Sequence, residues 1–340
     1  MTSGGSLALV ESPAQLLNVM EWAHQTGVDR SRLTTVVLAP RNEMSRAQLR
    51  ATAALATAAG HTVRWCDPRQ DTTSTLRTVT SLAEQLRGVD RLVLGDPFSG
   101  VIQLVLSISH PDEVVVVDDG TATLEFARLW TSGESLVRWH SSASGRRRRQ
   151  VASLARRRIA PGSGCAVTVF SCMPVRLDGV TVLHNDFAWT RTAFGTPTVK
   201  ATGDLIGTSL VETGVVEEEH YLRGVRALAT EHAVDRYFAH RKEDGDKLTR
   251  IAAMGLQVVR PDLPLELVAR RDVIGETLIS FPSTVVHTLP LVLADTAARL
   301  LVCDIADDWY TRRAPSHSEA FLGQVATSAR DTHGLLSVAC

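Results

Sequence analysis

Residues 113–124, EVVVVDDGTATL, decide the fold. Val114 to Val117 form an unbroken apolar run, the pattern of a strand covered on both faces in a parallel sheet. The run ends on Asp118-Asp119-Gly120, and a glycine there suits a tight turn at a strand's carboxyl end. Open α/β sheets bind ligands at that end. Two adjoining carboxylates at such an edge read either as a site containing a general base or as solvated caps of the next helix.

Outward from this stretch, strands and helices alternate. Strands are expected at 7–10, 34–38, 62–65 and 91–94, with helices at 15–25, 44–59, 76–86 and 99–108 leading into the valine strand. That order is the pattern of a doubly wound parallel sheet. Past Gly120 the pattern is less regular: a basic block, Arg146 to Arg149 and Arg156 to Arg158, lies in a helix, and strands follow at 166–170 and 180–183. A segment at 195–202 containing Pro197 reads as a linker. Alternation then resumes, with strands at 205–207, 236–239, 257–259, 277–281 and 300–303 and helices at 217–232, 246–254, 285–293 and 316–330. The fold class is α/β, two Rossmann-like domains facing a cleft, spanning 1–195 and 196–340.

The bulk properties agree with this. A chain of 340 residues accommodates two domains of roughly 150–200 residues, each with its own core. The formal net charge of -1 gives no whole-molecule field toward nucleic acid. Five cysteines without a CxxC pair favour free thiols and a reducing compartment. The start, MTSGGSLALVES, lacks the basic region of a signal peptide, and no apolar stretch reaches the ~18 residues of a membrane span. A cytoplasmic location is the expectation.

The second half has its own polar strand ends. Tyr237-Phe238-Ala239 runs into His240-Arg241-Lys242-Glu243, which reads as a solvated turn or as a site with a histidine able to exchange a proton near neutrality. Ser280-Phe281-Pro282-Ser283-Thr284 opens an apolar helix. Hydroxyls and a proline there are capping chemistry and equally phosphate-binding chemistry, since unpaired amides and the positive dipole end point outward. Between the two lies Pro264-Leu265-Glu266, whose carboxylate is suited to a ribose diol or to solvent.

Together these pieces resemble the bacterial sialyltransferases and polysialyltransferases of the two-domain GT-B fold. The resemblance rests on Asp118-Asp119-Gly120 against a D/E-D/E-G motif, His240-Arg241 against a histidine-proline motif and Ser283-Thr284 against an S-S/T motif. Glu266 stands where related enzymes contact the donor ribose, and LALVESPAQLLNVMEW is similar to the S-P-x-Q-x-L-N start of the polysialyltransferase-like branch. One departure is Arg241, which replaces the motif proline. A guanidinium there is suited to a phosphate or a sugar carboxylate.

The resemblance implies an inverting transferase that moves sialic acid, or a related nonulosonic acid, from a CMP-activated donor to a glycan hydroxyl, as in α-2,8 polysialyltransferases of polysaccharide biosynthesis. Asp119 and His240 are then catalytic, as base and as partner of the departing phosphate. Asp119 is preferred over Asp118 because successive strand residues point to opposite faces, and Asp118 becomes a neighbour whose charge raises its partner's pKa. Gly120, Arg241, Glu266, Ser283 and Thr284 bind the donor, with Ser12 and Gln15 lining the sugar site. CMP carries one phosphate, so no metal cofactor is required; Asp307-Asp308 is not a convincing metal motif. Trp139, Trp189 and Trp309 read as core or interface aromatics.

The arginine block fits a polyanionic acceptor, an anionic membrane surface at the inner face of the membrane, or plain solvent. Competing functions keep the fold and change the chemistry: a transferase or epimerase acting on another nucleotide sugar, or a non-catalytic homologue that binds nucleotide or glycan. The expected partners are a nucleotide-sugar donor and a glycan acceptor, without nucleic acid.

Overall fold

Strand and helix alternate from the start of the chain, and the apolar periodicity fixes which faces are buried. The structure, a computed structural model, describes residues 4–69, 71–137, 145–312, 314–315 and 318–339. It divides into two units, Met1–Asn185 and Asp186–Cys340.

The first unit contains, in order, β1 (Ser6–Val10), α1 (Pro13–Thr26), β2 (Leu33–Leu38), α2 (Glu43–Ala58), β3 (Thr62–Cys66), α3 (Thr72–Leu86) and β4 (Arg91–Leu94). It continues through α4 (Gly100–Ile108), β5 (Glu113–Val117), α5 (Thr121–Ser132), α6 (Arg146–Arg158), β6 (Ala166–Ser171) and β7 (Thr181–His184). All pairings are parallel, in the order β3-β2-β1-β4-β5-β6-β7. Val114 to Val117 are buried, as a strand in the middle of a covered parallel sheet must be. The order reverses between β1 and β4, and such a switch point opens a crevice at the strands' carboxyl ends.

Local chemistry sets the helix boundaries at that edge. Ser12 caps α1, accepting from the Gln15 amide at 3.2 Å, and Pro13 occupies the first turn, where a missing N–H costs nothing. The start that resembled S-P-x-Q is thus the first strand-to-helix turn. Gly120, at φ 65° and ψ -128°, turns the chain from β5 into α5 through a conformation that a Cβ would strain.

The second unit repeats the plan. It contains α7 (Ala188–Phe194), β8 (Val199–Lys200), β9 (Gly203–Ile206), α8 (Glu218–Glu231), β10 (Val234–Phe238), α9 (Gly245–Ala252) and β11 (Gln257–Val259). Next come α10 (Leu265–Arg271), β12 (Ile274–Gly275), β13 (Thr277–Ser280), α11 (Val285–Val292), β14 (Arg299–Asp304), α12 (Ser318–His333) and β15 (Leu336–Ala339). Its main sheet is parallel in the order β11-β10-β9-β13-β14-β15, and β8 pairs with β12 beside it. The switch point lies between β9 and β13. The core includes Leu205, Tyr221, Tyr237, Ile279 and Phe281.

The expected linker at 195–202 contains β8, held by β12, while the division between units falls ten residues earlier. Pro197 and its neighbours punctuate an ordered connection rather than a free one. The short helices α7 and α10 and the edge strand β15 carry too few periodic residues to stand out in the sequence. The thiol expectation also needs correction: Cys66, Cys165 and Cys172 are free, whereas Cys303 is disulfide-bonded. Sequence spacing misses a bond formed by folding rather than by adjacency. No helix among the described residues is long and apolar enough to cross a membrane.

Candidate active site

In the first unit the two carboxylates after β5 have separate roles. Asp118 is buried and accepts from the Gly120 amide (2.9 Å), the Thr123 hydroxyl (2.6 Å), the Ser171 hydroxyl (2.8 Å) and the Cys172 amide (3.2 Å). It thereby ties the ends of β5 and β6 to the first turn of α5. Burial pushes its pKa up against these donors, so the raised carboxyl of the pair is Asp118 itself. Asp119 is half-buried, and its Oδ1 accepts from Ser12 Oγ at 3.4 Å. Alternation along the strand therefore sends one acid inward as a clamp and the other toward the sheet edge.

The clamp extends to α1. Asn18 Nδ2 donates to the Asp118 carbonyl at 2.8 Å, and Asn185 Nδ2 donates to Asn18 Oδ1 at 2.8 Å. Gln15 is buried; its Oε1 accepts from the Glu11 amide at 2.7 Å, and it packs so near Gly95 that a Cβ there would lie 2.2 Å from Oε1. Gln15 therefore braces the switch point, while Ser12 is the member of the expected pair that reaches Asp119. Glu11, not singled out in the sequence, pairs with Arg69 at 2.6 Å and accepts from Ser99 Oγ at 2.5 Å. Burial raises its pKa, with Arg69 and Ser99 opposing.

In the second unit His240 follows β10. Its ring Nδ1 accepts from the Lys242 amide at 3.2 Å, which assigns the proton of the neutral ring to Nε2. Burial, reinforced by the charges of Arg241 and Lys242, lowers its pKa to about 4. The imidazole is thus a neutral hydrogen-bond donor at pH 7. Beside it, Arg241 is half-buried and its Nε is buried without a hydrogen-bond partner.

The loop is held from below by a buried polar network. Glu243 accepts from the His240 amide (2.8 Å) and the Tyr237 hydroxyl (2.9 Å) and pairs with Lys247 (3.3 Å), which also reaches Glu212 (2.8 Å). Tyr221 and Tyr237 share a hydroxyl contact of 2.7 Å. Gly207, at the end of β9, has no room for a side chain: a Cβ would lie 2.1 Å from Glu243 Oε1. The one sequence signal for this network was Glu243 and Lys247 at helical i, i+4 spacing.

Ser283 and Thr284 lie at the start of α11, half-buried, and Thr284 makes no side-chain cap bond. The helix's first amides are therefore not closed off by that hydroxyl. Glu266, in the first turn of α10, accepts from Thr288 of α11 at 2.7 Å, which brings the expected ribose carboxylate to the helix that carries the expected phosphate site. β10 and β13 flank β9, so the His240 and Ser283-Thr284 turns emerge on either side of it. Trp189 and Trp309 are buried, while Trp139 lies outside the described residues.

Two parallel sheets, each with a reversal of strand order and polar strand ends, match solved structures over nearly the whole chain. An α/β-galactoside α-2,3-sialyltransferase from Photobacterium phosphoreum aligns at TM-score 0.54 and 11% identity, covering 99% of this chain and 99% of that one. A putative UDP-N-acetylglucosamine 2-epimerase from Listeria monocytogenes aligns at TM-score 0.54 and 11% identity, covering 97% and 88%. The fold is GT-B. A third GT-B relative, Anabaena Alr3699/HepE in complex with UDP and glucose, aligns at TM-score 0.51 and 13% identity, covering 97% and 90%. No protein-family model and no curated protein matches the chain.

Proposed function

We propose that this GT-B chain is an inverting glycosyltransferase that moves sialic acid, or a related nonulosonic acid, from a CMP donor to a glycan hydroxyl. The observation that carries this reading is the division between a buried, fully engaged Asp118 and an edge-facing Asp119 beside Ser12. A transferase of this kind needs one carboxylate at the sheet edge to take the acceptor's proton. The likeness to the Photobacterium sialyltransferase over the full length supports the same reading.

On this reading Asp119 deprotonates the attacking hydroxyl. The donor's anomeric carbon is tertiary and bears a carboxylate, so bond breaking runs ahead of attack and the configuration inverts. His240 Nε2–H donates a hydrogen bond to the departing phosphate oxygen and stabilises the charge that develops there. Ser283, Thr284 and the first amides of α11 hold the phosphate; Arg241 adds charge, and Glu266 accepts from the ribose. Gly120 lets the backbone turn beneath the sugar. With a single phosphate to neutralise, the reaction calls for no metal cofactor. We place the enzyme in the cytoplasm.

The test is release of CMP from CMP-sialic acid with and without candidate glycans, followed by mass spectrometry of the product. A second reading, an epimerase or a transferase acting on a UDP-sugar, is favoured by the equal TM-score of the epimerase relative and by the UDP complex among the similar structures. Protection against thermal unfolding separates the two. Stabilisation by CMP but not UDP supports the first, and the reverse supports the second. Nucleotide binding with no turnover on any donor would identify a binding homologue.

A further inference from the structure

The proposed reaction leaves the arginine block without a role. Its first turn is exposed and borders a pocket of the first unit. Arg147 and Arg148 of α6, with Arg41 after β2 and Arg69 after β3, line an open pocket of about 360 Å³ on the first unit, against Gly100 and Leu104 of α4. Among the described residues no acidic side chain lines it.

Two of the four guanidiniums are committed. Arg69 donates to the Ala39 carbonyl at 2.8 Å and pairs with Glu11. Arg148 donates to the Phe98 carbonyl at 2.7 Å, and a Cβ at Gly100 would lie 2.4 Å from its guanidinium, so the glycine keeps that place open. Arg41 and Arg147 have no hydrogen-bond or ion-pair partner among the described residues. Like charges gathered around one pocket repel, and an anion among them relieves that repulsion. The start of α4 adds its positive dipole end, since Ser99 makes no cap bond to the helix amides.

The pocket is connected to the candidate base. Arg69 holds Glu11, and the next residue, Ser12, reaches Asp119 at 3.4 Å. All of these groups lie at the carboxyl edge of one sheet.

We infer that the pocket is an anion subsite, which holds a carboxylate or phosphate carried by the acceptor while the acceptor's hydroxyl is presented to Asp119. Calling the ligand an acceptor rests on the transferase reading; the binding of an oxyanion does not. Guanidinium forks match either group with paired hydrogen bonds.

The experiment is titration of the full chain with inorganic phosphate and, separately, with a short sialic acid oligomer, at constant ionic strength. At least one probe binds and raises the Tm. Arg41→Ala combined with Arg147→Ala, both on exposed side chains, weakens that binding by at least about tenfold and leaves the CMP-induced shift unchanged. Arg41→Lys with Arg147→Lys retains part of the affinity. A response to phosphate alone assigns a phosphorylated acceptor, and to the oligomer alone a carboxylated one. Binding of neither probe, or unchanged affinity in the alanine double variant, overturns the subsite. So does a double variant that releases the chain from phosphatidylglycerol vesicles without affecting either probe, since the arginines would then serve a lipid surface. Anion binding without any CMP shift would sink the donor reading and leave the subsite standing.

Discussion

Ser12 Oγ donates to Asp119 Oδ1 across 3.4 Å, joining residues 107 positions apart in the chain. The contact places Asp119 beside the amino end of α1, where Ser12 is also the cap. A helix amino end favours a negative charge, which suits a carboxylate placed there. Asp118, one residue earlier, faces a closed set of donors instead.

The two acids therefore separate activity from stability. Asp119→Asn lowers turnover by at least about 10²-fold with an unchanged denaturation midpoint. Asp118→Ala strands the donors of Gly120, Thr123, Ser171 and Cys172 and lowers stability by about 2 kcal/mol or more. Parallel rate and chemical-denaturation measurements check both; comparable destabilisation by Asp119→Asn would make it a second clamp.

His240 sets a pH signature for nucleotide binding. Its pKa in the free protein is about 4, below the ordinary 6.5, because of burial and the neighbouring Arg241 and Lys242. A bound phosphate raises that pKa, so the complex carries more protons than the free protein between the two values. CMP affinity accordingly rises as pH falls below the pKa of the complex toward 4, by up to about tenfold per unit. The stability sign is opposite. The unfolded chain binds the proton at 6.5 and the folded chain does not, so the His240 contribution is complete above 6.5 and is lost as pH falls toward 4. His240→Gln removes the affinity slope, which calorimetry at several pH values reads directly.

The buried pair under this loop gives a third outcome. Lys247 is the cation beside Glu243, and both side chains are almost fully enclosed. Lys247→Met leaves Glu243 buried without its partner, at about 3–5 kcal/mol. Lys247→Met with Glu243→Gln recovers part of that loss, because the uncompensated charge is gone. A double-mutant cycle by urea denaturation checks the coupling, and additive losses would count against it.

Much of this was legible in the sequence, for reasons that differ between elements. Long apolar runs such as Val114 to Val117 and strongly periodic helices such as α1 and α8 report their own burial, so most strands of the two main sheets could be read from pattern alone. Turn chemistry located the strand ends at Gly120, His240 and Pro282. The short α10 could not be read, because Leu265–Arg271 offers barely two helical turns of pattern. Yet α10 is what brings Glu266 to Thr288. Glu11 and Arg69 were equally hidden, since their pairing depends on β1 and β3 lying in one sheet with β2 between them. Sequence spacing records neighbours along the chain; this pair and the Ser12–Asp119 contact are made by strand order.

Arg241 provides the test in which a structural and a ligand-binding role give opposite signs. Its Nε is buried and unpartnered, and Lys242 follows it in the chain. Burying an unpaired donor costs free energy unless something arrives to accept from it. If that acceptor is the donor's phosphate, Arg241→Ala leaves the unliganded protein as stable as before or slightly more so, and weakens CMP binding by about tenfold or more. A guanidinium that merely packs gives the reverse: a lower Tm without ligand and an unaltered CMP affinity. Thermal unfolding of the variant with and without CMP distinguishes these in one experiment. The same variant also tests the departure from the motif proline, because Arg241→Pro restores the stiff turn while removing the charge. Should Arg241→Pro bind CMP as tightly as the natural chain, loop rigidity rather than the guanidinium carries the affinity.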